Sequence, residues 1–151
     1  MTDLSDLYEE IILDHNKNPR FFNKVPENAN RQAEGDNPLC GDHYSIQLRV
    51  DDGIVQSAGF EGAGCAISKA SASLMLERIV GKTETEAINL FHSIHEMLTN
   101  NEQVTSEPAD LGKLEVLGGV RKYPMRVKCA TLAWHVLSAA LNDTENQVST
   151  E

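Results

Sequence analysis

A run of alternating side chains followed by a tight turn constrains the fold of this chain more than any other feature. Apolar and polar residues alternate from position 44 to position 50, which is the period of a half-buried strand. The Asp-Asp-Gly sequence at 51–53 is typical of a tight turn. A second strand, from 54 to about 60, is therefore predicted to return beside the first as a β-hairpin.

The predicted hairpin brings two of the three cysteines together. Cys40 precedes the first strand and Cys65 follows the second, and the open ends of an antiparallel hairpin are adjacent in space. Asp42 stands two positions after Cys40, so the two side chains share a side of an extended segment. We therefore expect both thiols and the carboxylate to face one point.

Each cysteine stands at a junction between elements rather than inside an apolar run. Cys65 follows a Gly-Ala-Gly turn and opens a predicted helix that runs to about Val80 and stops at Gly81. Cys129 is predicted to start the last helix, because Pro124 keeps the residues before it non-helical. The positive end of a helix dipole favours the thiolate form at such positions.

The three thiols and the carboxylate leave three interpretations open. Converging thiolates and a carboxylate suit a tetrahedral zinc ion. A thiolate is also the nucleophilic form of cysteine, so the same set suits sulfur chemistry. Alternatively, these are unrelated free thiols, because three cysteines in 151 residues is an ordinary count and no Cys-x-x-Cys pair is present.

The other segments predict further helices and one long loop. The first helix carries apolar residues at helical spacing and ends before Pro19, after which residues 19–39 are loop-like. Another helix begins with a capping box at 83–86. His92 and His95 share a face of that helix, and we interpret them as solvated side chains rather than metal ligands.

Length and composition narrow the class of protein. The 151 residues fit one domain, 1–142, followed by a polar tail, 143–151, that we expect to be disordered. The net charge of −10 argues against nucleic acid as a partner, because phosphates repel an acidic surface. We expect neither a membrane span, because no apolar run is long enough, nor a signal peptide. The odd number of cysteines argues against a disulfide framework. We expect a cytoplasmic protein with reduced thiols.

Two of the cysteine segments resemble the motifs of a known family. Residues 37–42 (Asn-Pro-Leu-Cys-Gly-Asp) and 62–68 (Gly-Ala-Gly-Cys-Ala-Ile-Ser) look like the first two cysteine motifs of the SufU/IscU (NifU N-terminal-like) iron–sulfur cluster assembly proteins. The resemblance covers nearly the whole chain and is greater to the SufU branch. IscU-type scaffolds have a histidine before the last cysteine, where this chain has Lys128, whose ammonium has no lone pair for a metal. The stretch 100–122 also looks like the insertion typical of SufU.

The resemblance implies an α+β fold, with a small antiparallel β-sheet and helices packed on one side. It implies zinc held by Cys40, Asp42, Cys65 and Cys129. The implied activity is that of a zinc-dependent sulfurtransferase, which accepts persulfide sulfur from a SufS-type cysteine desulfurase and passes it towards a SufBCD scaffold. One alternative is a scaffold that carries a transient iron–sulfur cluster. Another is a purely structural zinc protein that binds partners.

Within this set we assign sulfur acceptance to Cys40 and a supporting catalytic role to Arg126. Cys40 lies in a predicted loop and can move without unwinding an element, whereas the other two cysteines sit at predicted helix starts. Arg126 and Lys128 flank the third thiol, and we expect their charges to favour the thiolates and to meet acidic groups of the desulfurase. The competing interpretations are that Cys40 only holds zinc and that the two cations are solvated surface charges.

Overall fold

The computed structural model describes residues 4–37, 41–99, 114, 117–118, 120, 123–142 and 147–149. Within these ranges the α-helices and β-strands follow one another as α1 (Leu4–Lys17), β1 (Arg31–Asn37), β2 (Asp42–Asp51), β3 (Ile54–Ala63), α2 (Ala66–Ile79), α3 (Glu84–Thr99), α4 (Pro124–Asn142) and β4 (Gln147–Ser149). None of the helices described has the length and apolar character that a membrane span requires.

The predicted hairpin is the centre of the sheet. Strands β2 and β3 pair antiparallel around a turn in which Asp52 (φ 53°) and Gly53 (φ 74°) both adopt left-handed conformations, as a type I′ turn requires. The sheet order is β3-β2-β1-β4, with β1 antiparallel to β2 and β4 parallel to β1. The hairpin prediction is confirmed, although both strands extend further towards the cysteine motifs than the alternation indicated.

Strand β1 corrects the prediction that residues 19–39 form a loop. Its sequence, RQAEGDN, has no apolar alternation, but its inward positions are the buried residues Ala33, Gly35 and Asn37. Helix α4 packs against β1, so small side chains suit these inward positions. Pairing with β2 supplies the backbone hydrogen bonds that make this polar segment a strand, which local propensity does not indicate.

The helices form a layer on the sheet, which confirms the predicted α+β architecture. Helix α4 contacts β1, β2, α2 and α3, and α1 packs against α2. The core lies between α2, α4 and the sheet, and its largest fully buried side chains include Trp134, Tyr44, Phe60, Ile46 and Met75. Burial of these side chains is the main favourable contribution to folding.

The start of α4 is the second correction. We expected this helix to begin near Cys129, but it begins at Pro124. Proline is well tolerated at the first helical position, because the backbone N–H that it lacks has no intrahelical partner there. Cys129 therefore lies in the second turn of α4 and not at its start.

The end of α2 and the start of α3 lie where the sequence predicted them. Helix α2 ends at Ile79, and Gly81 follows with a left-handed φ of 93°. Before α3, the Thr83 N–H donates to Glu86 Oε1 and the Glu86 N–H donates to Thr83 Oγ1, both at 3.1 Å. This reciprocal pair is the predicted capping box.

Several predicted segments lie largely outside the described residues. They include the 100–122 stretch, in which only four positions are described, and tail residues 143–146 and 150–151. Within the tail that we expected to be disordered, Gln147–Ser149 form β4, paired with positions 34–36 of β1. This pairing gives partners to backbone groups that β1 would otherwise expose at the sheet edge.

The loop after α1 crosses the other edge of the sheet at Gly59. The Phe60 N–H donates to the Phe21 carbonyl at 3.0 Å, and the Asn23 N–H donates to the Phe60 carbonyl at 2.8 Å. A Cβ atom on Gly59 would overlap the backbone carbonyl of Lys24. Glycine is therefore needed here because the loop backbone lies directly against β3.

We predict that Gly59→Ala lowers the free energy of unfolding by about 2 to 3 kcal/mol, because the methyl group displaces the loop from the strand edge. Denaturant unfolding followed by the fluorescence of Trp134, the only tryptophan, measures this change. Gly118→Ala is the matched control, since the atoms nearest to its Cβ would belong to the Met97 side chain, with the sulfur at 3.5 Å, an ordinary contact. Equal losses in the two variants would contradict the prediction.

Candidate metal centre

Three elements bring Asp42, Cys65 and Cys129 together. Asp42 is the first residue of β2, Cys65 lies between β3 and α2, and Cys129 lies in α4. One ligand atom from each residue lies within 4.8 Å of those from the other two. Among the described residues this is the only such group of three or more histidine, cysteine or acidic side chains. The structure thus unites three of the four predicted ligands, and Cys40 lies outside the described residues.

The Asp42 carboxylate is fixed by the backbone of the next motif. The Cys65 N–H donates to Asp42 Oδ1 at 2.9 Å, and Asp42 Oδ2 lies 4.0 Å from the Cys65 sulfur. Asp42 is almost fully buried. One carboxylate oxygen therefore anchors the aspartate, while the other faces the thiol.

Cys65 is the N-cap of α2. Its backbone is extended (φ −72°, ψ 169°), and its sulfur accepts the Ser68 N–H at 3.4 Å. The Ser68 hydroxyl donates to the Cys65 carbonyl at 3.0 Å. The thiol thus takes the place that a serine or aspartate oxygen usually occupies at a helix start, beside free backbone N–H groups.

Cys129 is fully buried and has a different environment from the one predicted. Because α4 starts at Pro124, the thiol lies beyond the first turn, where the helix dipole has little effect. The Asn37 side-chain amide donates towards its sulfur at 3.9 Å. Asn37 ends β1, and its carbonyl accepts the Gly41 N–H at 2.8 Å, so the two ends of the 37–41 segment lie close together.

Arg126 lies beside both thiols, on the exposed side of the centre. The negative charge of Cys65 is the largest cause that raises the pKa of the Arg126 guanidinium, followed by a hydrogen bond with Cys129. Lys128 is only two residues further along the same helix, which places it roughly 160° around the helix axis from Arg126. The structure therefore places Arg126 beside both thiols, and the expected contribution of Lys128 stays a prediction.

A buried phenol and a buried serine adjoin the centre. The Tyr44 hydroxyl lies 3.1 Å from Ser68 Oγ, and both residues are fully buried. Burial is the largest cause that raises the pKa of Tyr44 to about 12, against the lowering effect of the Ser68 hydrogen bond. The charges of Asp42, Cys65 and Cys129 raise it further. Tyr44 therefore keeps its proton at neutral pH.

Gly64 lets these polar groups pack closely. A Cβ atom there would lie 2.5 Å from Ser68 Oγ, 2.6 Å from Asp42 Oδ1 and 2.8 Å from the Tyr44 hydroxyl. Tyr44 and Ser68 were not among the site residues predicted from the sequence. The signals were present, because Tyr44 follows Asp42 on the same side of β2 and Ser68 stands three residues after the helix cap.

The donor set and its spacing fit zinc. A tetrahedral zinc ion holds a thiolate sulfur and a carboxylate oxygen about 3.6 Å apart. The 4.0 Å between the Cys65 sulfur and Asp42 Oδ2 needs an adjustment of only a few tenths of an ångström. The Asp42 Oδ1 hydrogen bond and the Ser68 contact with Cys65 are outer partners of the kind that hold metal ligands in position.

The histidines on α3 are not part of such a site. His92 is exposed, as expected of a solvated residue, but His95 is half-buried. The His95 ring lies 5.8 Å from the His135 ring of α4, and both pack against Phe91. Burial is the main cause that lowers the pKa of His135. The interpretation as solvated side chains therefore holds for His92 and is wrong for His95.

Comparison with known proteins identifies the family. Residues 7–130 match the family of NifU-like N-terminal domains. The zinc-dependent sulfurtransferase SufU of Bacillus subtilis is 41% identical over 142 residues, covering 94% of each chain. The iron–sulfur cluster assembly scaffold protein IscU of Thermotoga maritima is 42% identical over 138 residues, covering 89% of this chain and 92% of that protein.

A solved structure supports the same assignment. The crystal structure of an iron–sulfur cluster assembly scaffold protein for the SUF system from Fervidobacterium islandicum superposes with a TM-score of 0.76 at 37% identity. The match covers 89% of this chain and 96% of that one. The chain therefore belongs to the family of NifU-like N-terminal domains, the iron–sulfur cluster assembly family of the SufU and IscU proteins.

Proposed function

We propose that this protein is a zinc-dependent sulfurtransferase of iron–sulfur cluster assembly. The observation that carries the proposal is the convergence of Asp42, Cys65 and Cys129, with the Arg126 guanidinium beside both thiols. A relative that is 41% identical bears the name of a zinc-dependent sulfurtransferase, which agrees with this chemistry. We also propose a cytoplasmic location, where thiols stay reduced.

Four residues would hold the metal in this proposal. Asp42, Cys65 and Cys129 supply one oxygen and two sulfurs, and Cys40 supplies the fourth donor that a closed tetrahedral site needs. When bound, zinc would keep these thiols deprotonated at neutral pH. Arg126 adds positive charge on the exposed side, where an incoming sulfur donor must arrive.

Sulfur acceptance belongs to Cys40. Because a metal-bound thiolate is a poorer nucleophile than a free one, Cys40 would have to leave the metal before it reacts. The Cys40 thiolate then attacks the terminal sulfur of a persulfide on a SufS-type desulfurase, and a new sulfur–sulfur bond forms on Cys40 as the donor's own sulfur–sulfur bond breaks. The donor cysteine leaves as a thiolate, so the transfer needs no oxidant or reductant. A SufBCD-type scaffold would receive the sulfur by a second exchange of the same kind.

The second candidate is a scaffold on which an iron–sulfur cluster is assembled. Relatives named as scaffolds, including the Thermotoga maritima protein, favour it. The position before the last cysteine favours sulfur transfer instead, because Lys128 cannot act as a ligand while its ammonium is protonated. A purely structural zinc protein is the third candidate, and it predicts zinc binding without any sulfur on a cysteine after turnover.

We predict one zinc ion per chain and its loss in Cys129→Ser. Loss of a residue that only positions a ligand lowers metal affinity roughly 10- to 100-fold, so loss of the ligand itself should lower the affinity for zinc by more. It should also lower the melting temperature, because metal binding is coupled to folding. Metal analysis and thermal unfolding test this. Ala133→Ser, which adds a buried hydroxyl one turn further along α4, is the control that should retain zinc. Full zinc content and full stability in Cys129→Ser would count against the site.

We predict that Arg126→Ala reduces sulfur acceptance about tenfold, the effect expected when a hydrogen bond to a charged group is removed, while zinc content is retained. The measurement is kcat/KM for sulfide release by a SufS-type desulfurase in the presence of each variant. Lys128→Ala is the matched control, because it removes a charge from the same helix but on another side of it. Equal effects in the two variants, or equal loss of zinc and sulfur acceptance in Arg126→Ala, would contradict the role.

We predict that sulfane sulfur appears on Cys40 after turnover with the desulfurase. Differential alkylation followed by peptide mass spectrometry locates it, and Cys40→Ser should abolish it. The other two cysteines are held by hydrogen bonds from Ser68 and Asn37, and they should stay unmodified. A persulfide found on Cys65 or Cys129 but never on Cys40 would end this assignment.

A further inference from the structure

The two described thiols differ in the hydrogen bonds that reach them. The Ser68 N–H donates to the Cys65 sulfur at 3.4 Å, and the Cys65 thiol donates towards the Ser68 hydroxyl oxygen at 3.7 Å. Cys129 receives a longer contact from Asn37, at 3.9 Å, and a hydrogen bond from Arg126. The Ser68 hydroxyl itself donates to the Cys65 carbonyl at 3.0 Å, so one residue contacts both the sulfur and the carbonyl of Cys65.

The Tyr44 hydroxyl can donate to Ser68 and so leave the Ser68 proton for Cys65. A hydroxyl has one proton and two acceptor positions. Since the Tyr44 hydroxyl lies 3.1 Å from Ser68 Oγ and can donate to it, the Ser68 proton is left for the Cys65 carbonyl at 3.0 Å or the Cys65 sulfur at 3.7 Å. A negatively charged sulfur is the stronger acceptor of the two. When Cys65 is a thiolate, the Ser68 hydroxyl should therefore turn from the carbonyl to the sulfur.

This chain of donors lies in the interior. Tyr44 and Ser68 are both fully buried, and their oxygens lie close against Gly64, which leaves no room even for a methyl group. Bulk water cannot replace a lost hydrogen bond at such a position. The hydrogen bonds among Tyr44, Ser68 and Cys65 therefore stabilise the site more than the same contacts would at the protein surface.

We propose that Ser68, oriented by Tyr44, is a positioning residue that keeps the Cys65 thiolate bound at the metal centre and withholds it from reaction. Hydrogen bonds to a thiolate spread its charge and lower its nucleophilicity. The Ser68 hydroxyl thereby selects which cysteine reacts, by making Cys65 a permanent ligand. This inference rests on the proposed function and adds to it the means by which one thiol is excluded from sulfur acceptance.

The test compares thiol reactivity in zinc-loaded Ser68→Ala, Tyr44→Phe, the double variant and the unaltered protein. Iodoacetamide labelling, quantified for each cysteine by mass spectrometry, gives a rate for each thiol. We expect the Cys65 rate to rise about fivefold in Ser68→Ala, the value of one buried hydrogen bond, with the Cys129 rate unchanged. Tyr44→Phe should give a smaller rise. Because Tyr44 acts through Ser68, it should add nothing in the double variant.

A spectroscopic measurement separates positioning from a general loss of stability. In the cobalt(II)-substituted protein, loss of a hydrogen bond to the Cys65 sulfur should shift the sulfur-to-cobalt charge-transfer band to longer wavelength. Ser73→Ala is the matched control, because Ser73 is a buried serine of α2 whose hydroxyl contacts His15 and the Arg20 N–H instead. It should leave both the band and the Cys65 rate unchanged, whatever its effect on stability.

The outcomes distinguish this inference from the function on which it rests. If the unaltered protein binds metal and accepts sulfur while Ser68→Ala shows no selective change at Cys65, only the present inference fails. A uniform rise at Cys65 and Cys129, or the same change in Ser73→Ala, would also overturn it. If the unaltered protein binds neither zinc nor cobalt, both proposals fail. Should Ser68→Ala not fold, Tyr44→Phe, which removes a single oxygen atom, still decides the question.

Discussion

The hydrogen bond from the Cys65 N–H to Asp42 Oδ1, 2.9 Å long, is the contact on which the site depends. It closes the open end of the β2–β3 hairpin and fixes the carboxylate. It also satisfies a backbone donor at the start of α2. The sheet, the helix start and the two functional side chains are therefore held by one interaction, so that a shift in strand register would dismantle all of them together.

The features that the sequence predicted well are those with a local cause. The hairpin follows from a two-residue period and an Asp-Gly turn, and the meeting of Asp42 and Cys65 follows from the hairpin. Strand β1 could not be predicted in this way, because its polar residues become a strand only by pairing with β2 and packing beneath α4. The environment of the Cys65 thiol likewise depends on Ser68 and Tyr44, which come from separate elements.

One misplaced helix boundary had consequences for the chemistry. Pro124 is compatible both with an extended approach and with the first position of a helix, and local sequence does not distinguish the two. Once α4 starts at Pro124, Arg126 and Cys129 lie nearly one turn apart, and Lys128 lies on another side. Which cation lies beside the thiols therefore depends on where α4 begins, because that start makes the segment 124–129 helical. The packed structure, and not the local sequence, determines this start.

The two edges of the sheet limit exposed backbone in different ways. The Phe21–Asn23 backbone bonds to β3, and β4 pairs with β1. Open strand edges are where β-sheet proteins join one another into aggregates or accept a peptide as an extra strand. Among the described residues, the loop backbone covers part of β3, and the opposite edge is β4, a strand of only three residues. The net charge of −10 adds repulsion between copies. A short edge strand and a partly covered one both disfavour the addition of a further strand at the described edges of this sheet.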